Sequence, residues 1–209
     1  NLFSDVGEKV NLFDPTFLEN ISKMKEKNLA VEMLKKLIDE QVRVYKRTNL
    51  VKSEAFSELI QQTLNRYLNG MLTNEEVIQE LLKLAKEMLH ASEEGNKLGL
   101  TDEELAFYDA LTKPEAVKDF YSNEDLVALT KELTETLRKN KTIDWQKKES
   151  ARAKMRMIVK KLLKKYKYPP EGQEDALKTV ISQCELWTDN VADYEEEVYQ
   201  SNNQWDELK

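Results

Sequence analysis

Thr73-Asn-Glu-Glu-Val-Ile-Gln-Glu-Leu-Leu-Lys-Leu-Ala-Lys-Glu-Met-Leu89 carries a start signal and a period in one stretch. Thr73 and Glu76 stand three apart, the spacing at which a hydroxyl and a carboxylate each satisfy an orphan amide of a helix's first turn. Behind them Val77, Ile78, Leu81, Leu84, Ala85, Met88 and Leu89 recur near 3.6 residues, so one face of the helix is apolar. Thr101-Asp-Glu-Glu104 repeats the signal before Leu105, Tyr108 and Leu111.

The same reading extends outward in both directions. Asp14-Pro15 is a cap followed by proline at the first helical position, opening a short helix to about Glu26. A second runs from about Asn28 to Tyr45, and Lys46–Lys52 breaks its pattern. Ser53 is placed to cap a third, with Phe56, Leu59, Ile60, Leu64 and Leu68 in phase and Asn69-Gly70 ending it. Gly95 or Gly99 closes the Thr73 helix. Pro114 starts a short turn of helix. Ser122 caps a helix with Leu126, Leu129, Leu133 and Leu137, and Asp144 a long one from Trp145 to about Tyr166, stopped by Pro169-Pro170. If that helix begins at Trp145, Lys148 falls on its apolar side and must snorkel; otherwise the helix begins later. A last helix carries Leu177, Val180, Ile181, Cys184 and Trp187. The expected fold is all-α, an irregular domain of roughly nine helices with no sheet. Residues 1–13 read as a lead-in from an upstream domain, consistent with a start that is not Met. Residues 14–188 read as the helical domain, with a weak subdomain boundary near Lys113, and 189–209 as an acidic, aromatic tail.

Composition agrees with helices and removes several chemistries. The chain has 209 residues with only 5 Gly and 4 Pro, too few for the turns of an all-β chain. One Cys and one His leave no disulfide framework and no Cys- or multi-His metal site within one chain. Glu87-x-x-His90 has the spacing of a carboxylate-bridged di-metal pair, but such a site needs two of these pairs. His90 is better placed at a helix end, facing the dipole. No glycine precedes a lysine, so no phosphate-cradling loop exists. No catalytic, cofactor-binding or metal-binding residue is therefore assigned, and no cofactor is expected in this chain. No apolar run is long enough to cross a bilayer, so a cytoplasmic location without membrane contact is expected.

Charge is segregated. Arg138–Lys167 holds thirteen basic residues against two acidic ones, a net +11, so the rest of a chain of net charge −7 carries −18. On a helical wheel Met155, Ile158, Val159, Leu162, Leu163 and Tyr166 share one face, with Lys160, Lys161 and Lys164 opposite. Lys154, Arg156, Lys160, Lys161, Lys164 and Lys167 are the candidate nucleic-acid contacts, because lysine and arginine displace counterions from phosphates. The alternative is a solvated face neutralised by the acidic remainder of the chain.

Leu98-Gly-Leu-Thr-Asp-Glu-Glu-Leu-Ala-Phe-Tyr-Asp-Ala-Leu111, Arg138-Lys-Asn-Lys-Thr-Ile-Asp-Trp145, Glu149-Ser-Ala-Arg-Ala-Lys-Met-Arg156 and Lys164-Lys-Tyr-Lys-Tyr-Pro-Pro170 follow in order. With Phe17–Leu34 they resemble the C-terminal helical region of the R (restriction and translocation) subunit of type I restriction–modification enzymes, over about Pro15 to Trp187. The resemblance implies a parent subunit that is an ATP-dependent site-specific deoxyribonuclease and DNA translocase, using ATP and Mg upstream of this region. It implies for this chain a non-catalytic assembly role, docking the subunit onto the methyltransferase and specificity subunits. None of the family's nuclease or motor motifs has a counterpart here. The alternative role is backbone contact with duplex DNA through 138–167.

Overall fold

The computed structural model describes residues 11–114, 117, 122–141 and 145–206, with side chains up to residue 189. These form eight α-helices and no strand: α1 Pro15–Ser22, α2 Lys27–Thr48, α3 Leu50–Leu68, α4 Asn74–Leu98, α5 Asp102–Thr112, α6 Asn123–Asn140, α7 Glu149–Lys165 and α8 Pro170–Asp206. The all-α expectation holds. The chain divides into two compact units, Asn1–Lys46 with Ser53–Glu94, and Arg47–Lys52 with Gly95–Lys209. Lys113 and Pro114 lie within the second unit.

In the first unit Asp14 Oδ1 accepts the Thr16 N–H at 2.9 Å and Pro15 leads α1. At Thr73 both halves of the box form: Thr73 N–H donates to Glu76 at 2.7 Å and Glu76 N–H to Thr73 Oγ1 at 3.2 Å. The apolar faces of α2, α3 and α4 meet in a core that includes Leu34, Ile38, Phe56, Ile60, Ile78, Leu81 and Met88. Tyr45 stacks on Phe56 with ring centroids 5.7 Å apart.

The second unit is built on α5 to α8, with Phe107, Leu111, Leu129, Leu133, Trp145, Val159, Leu163, Val180 and Cys184 in its core. Thr101 forms the second capping box, with Thr101 N–H donating to Glu104 at 2.9 Å and Glu104 N–H returning to Thr101 Oγ1 at 3.3 Å. Ser122 caps α6 by accepting the Asp125 N–H. Gly99, at φ +65°, ends α4 in the left-handed conformation that glycine adopts without steric cost. Gly95 is helical instead, and a Cβ there would lie 3.2 Å from Leu105 Cδ2.

α1 ends at Ser22, short of the Glu26 expected for it, and three further boundaries differ from the sequence reading. α3 begins at Leu50, and Ser53 is buried inside its first turn. The cap is Asn49, whose Oδ1 accepts the Lys52 N–H at 3.1 Å, so the break after α2 is one residue wide. The expected Asp144 cap lies outside the described residues. α7 begins at Glu149, after a 3₁₀ turn at Trp145–Lys147. Trp145 is wholly buried there, and its Nε1–H donates to Thr188 Oγ1 at 2.9 Å. That anchor holds the chain off the α7 axis and places Lys148 at the N-cap rather than on the buried face. Finally, α8 runs unbroken through Asp206, so the backbone of 189–206 continues the last helix. The side chains of its aromatic and acidic residues beyond 189 lie outside the described set.

α7 stops before the prolines. Tyr168 N–H donates to Leu163 O at 2.8 Å and Lys167 N–H to Lys164 O at 3.0 Å, with Lys167 left-handed at φ 55°. This is the paired closure of a Schellman motif, with lysine where glycine is usual.

Candidate nucleic-acid interface

Eleven of the thirteen cations of Arg138–Lys167 fall into two sets. Those of the first set are engaged by groups of a neighbouring helix or of their own. Arg138 pairs with Glu103 at 2.6 Å, Lys139 with Glu135 at 2.6 Å, Arg152 with Glu185 at 2.9 Å and Lys165 with Glu132 at 2.6 Å. Arg156 pairs with Glu149 of its own helix at 2.9 Å. Lys141 Nζ sits 4.2 Å from the centroid of the Trp187 ring, a cation–π contact. The Lys165 ammonium holds the Glu132 carboxyl below the usual carboxylate range, with the Tyr166 hydroxyl adding to it. The same hydrogen bond to Glu132 pushes Tyr166 up to about 12.

The second set is different. Lys154, Lys160, Lys161 and Lys164 are exposed on the solvent side of α7, and Lys167 is exposed in the turn that follows. None of the five has an ion pair among the described residues. Of the six candidate contacts, the structure therefore brings four onto one helix face, sets Lys167 beyond its end, and pairs Arg156 with a carboxylate. Met157, 52% exposed, lies amid the four α7 lysines, at i−3 and i+3 or i+4 from Lys154, Lys160 and Lys161. Charge counting along the sequence does not separate neutralised cations from unpaired ones, because the partners Glu103, Glu132 and Glu185 come from other helices.

The remaining chemistry-bearing residues are accounted for by structure. No group of three or more His, Cys, Asp and Glu able to hold a metal occurs among the described residues. His90 is exposed within α4, which continues to Leu98, so it does not occupy the helix end expected for it. Cys184 is fully buried, and loss of hydration pushes its thiol from the ordinary 9.0 up to about 12. At pH 8 the folded chain should then hold about three orders of magnitude less thiolate than an ordinary cysteine. A disulfide reagent should label it only as the chain unfolds. The sign with pH follows: between pH 9 and 12 the unfolded thiol ionises and the folded one does not, so stability falls as pH rises through that window. Rapid labelling at pH 8 without unfolding would contradict the buried placement.

Sequence reading misses one polar cluster in the second unit. Lys52 Nζ lies 2.9 Å from Asp109 Oδ2, with side chains 9% and 12% exposed. Asn49 Nδ2–H donates to the same oxygen at 2.6 Å. Gln183 accepts the Leu50 N–H at 2.8 Å and donates to Thr48 O at 3.0 Å. These contacts close the backbone groups left open where α2 gives way to α3.

The described residues thus form helices only, with an unpaired cationic helix face beside structural ion pairs. Residues 2–190 match the family described as type I restriction enzyme HindI endonuclease subunit-like, C-terminal. Over 177 residues the chain is 42% identical to the type I restriction enzyme HindI endonuclease subunit of Haemophilus influenzae, covering 85% of this chain and 17% of that protein. Over 192 residues it is 30% identical to the putative type I restriction enzyme MjaIXP endonuclease subunit of Methanocaldococcus jannaschii, covering 91% of this chain and 17% of that protein. The chain belongs to the type I restriction enzyme endonuclease-subunit family and corresponds to its C-terminal region. It spans 17% of the length of either relative. No solved structure matches it. Among the described residues no helix is long and apolar enough to cross a membrane.

Proposed function

We propose that this region is the non-catalytic assembly domain of its subunit, docking an ATP-dependent DNA translocase and endonuclease onto the methyltransferase–specificity complex. The ATP and Mg chemistry belongs to the parent subunit upstream. One observation carries the reading. Leu68 and Met71 stand 79% and 68% exposed on either side of Gly70, at the turn between α3 and α4. Leu29, Val44 and Leu59 of the same unit are also exposed. Two large apolar side chains at a loop tip gain about 1.5–3 kcal/mol each when covered, which suits them to a partner contact. Acidic residues elsewhere in the chain suit the polar rim of such a contact.

The test uses the full-length subunit carrying Leu68→Lys and Met71→Lys. Its thermal unfolding should be unchanged, since neither side chain is in the core. Its affinity for the methyltransferase–specificity complex should fall about tenfold or more, the effect expected when an interface anchor is replaced by a charge. Unchanged affinity would move docking to another surface. A second reading, contact with the backbone of duplex DNA through 138–167, is favoured by the five lysines that have no carboxylate partner among the described residues.

A further inference from the structure

In the first unit α2 and α3 run antiparallel. Tyr45, near the end of α2, stacks on Phe56 near the start of α3, and Asn28, at the other end of α2, accepts a 2.7 Å hydrogen bond from Asn74, just beyond α3. Between the two helices runs an outward-facing groove of about 460 Å³. Val42 and Ile60 are buried in its floor, Leu64 is half-buried, and Leu68 stands 79% exposed at one end. From Ser57 to Leu68 the α3 bank is about 16 Å long at the α-helical rise, the length of about three turns of helix. Ser57, Gln61 and Asn65 leave that bank uncharged. The charged lining comes from α2, with Asp39 toward Leu68 and Arg43 and Lys46 toward the α2–α3 break. Both cations are exposed, and neither has an ion pair among the described residues.

We propose that this groove receives an acidic amphipathic helix of the methyltransferase–specificity complex, with its apolar stripe on Val42, Ile60, Leu64 and Leu68 and its carboxylates on Arg43 and Lys46. This rests on the assembly reading above and specifies the chemistry of the partner element. A groove between two packed helices takes a third helix well, because apolar side chains at i, i+3 or i+4 and i+7 fill a concave apolar row of this length. Charge complementarity sets the sign of that helix. Arg43 and Lys46 flank an apolar floor, and covering them without a counter-charge would cost their hydration and return nothing. A DNA backbone could meet the two cations, but its phosphates have no apolar face for Leu64 and Leu68, and Asp39 repels them.

The experiment measures binding of the full-length subunit to the purified methyltransferase–specificity complex across a salt series. Arg43→Glu with Lys46→Glu should weaken binding about tenfold at low salt, and the difference should shrink as salt screens the exposed charges. Asp39→Asn, which removes the carboxylate lining the groove, should tighten binding about two- to threefold. None of the three side chains is in the core, so circular dichroism should be unchanged. A carbodiimide, which joins an amine to a carboxylate in contact with it, should link Lys46 to an acidic segment of the complex that has apolar residues at helical spacing. If Leu68→Lys with Met71→Lys weakens binding while the charge variants have no effect and no link forms at Lys46, the groove placement is wrong and docking at the α3–α4 turn stands. If none of these variants weakens binding, the assembly reading fails as well. Two further results would overturn the proposal. Loss of affinity for a random-sequence duplex in the 209-residue chain carrying the two Glu changes would assign the cations to DNA. Self-association of that chain that Leu64→Lys abolishes would put a second copy in the groove.

Discussion

Asp109→Ala should lower the unfolding free energy of the chain by about 3–5 kcal/mol, the cost of stranding one member of a buried ion pair. Lys52 is 9% exposed and has its ammonium 2.9 Å from the Asp109 carboxylate. Without that carboxylate the ammonium keeps its desolvation cost and has no counter-charge, and Asn49 is deprived of the acceptor it reaches at 2.6 Å. The change should appear in urea as a lower midpoint with little change in slope. Replacing both charges, Lys52→Met with Asp109→Leu, should restore much of the stability, because a buried pair and well-packed apolar residues of similar size are often comparable in stability. A single variant that unfolds like the parent would mean that the pair is solvated and that the α2–α3 elbow is held by Gln183 alone.

That pair also marks where sequence reading runs out. Capping boxes at Thr73 and Thr101 and the Ser122 cap are patterns within three residues, and each helix begins where its pattern stands. Apolar periodicity likewise identifies the faces that become the two cores. Lys52 and Asp109 are 57 positions apart, and Leu50 and Gln183 are 133 apart. No local pattern distinguishes these charged or polar residues from the many that face solvent. The Ser53 reading fails for a related reason: Asn and Ser are both good caps, and only the buried contacts around 47–52 decide in favour of Asn49. Trp145 misleads in another way. It looks like the first apolar residue of α7, but its indole N–H is committed to Thr188, 43 residues away, and the α-helix starts four residues later. At the candidate interface, the spacing of Lys154, Lys160, Lys161 and Lys164 is legible because one helix carries all four. The pairing of Arg138, Arg152 and Lys165 is not, because their carboxylates come from α5, α8 and α6.

On the assembly reading proposed above, removing this whole region from the full-length subunit should abolish assembly while leaving the rest of the subunit folded. Each of the two helical units has a core of its own, and a region with its own core can be removed at a linker without unfolding what precedes it. If the region is the docking domain and the parent has the ATP and Mg chemistry proposed for it, the truncated subunit keeps that chemistry but no longer reaches the complex that delivers it to DNA. Translocation that depends on that complex should disappear together with assembly. The deciding measurement is size-exclusion co-migration of the truncated subunit with the purified methyltransferase–specificity complex, set beside the intact subunit at equal concentration. The assembly role predicts a single shifted peak for the intact subunit and two separate peaks for the truncated one. Co-migration of the truncated subunit with the complex would contradict that role and leave contact with DNA as the function of the region.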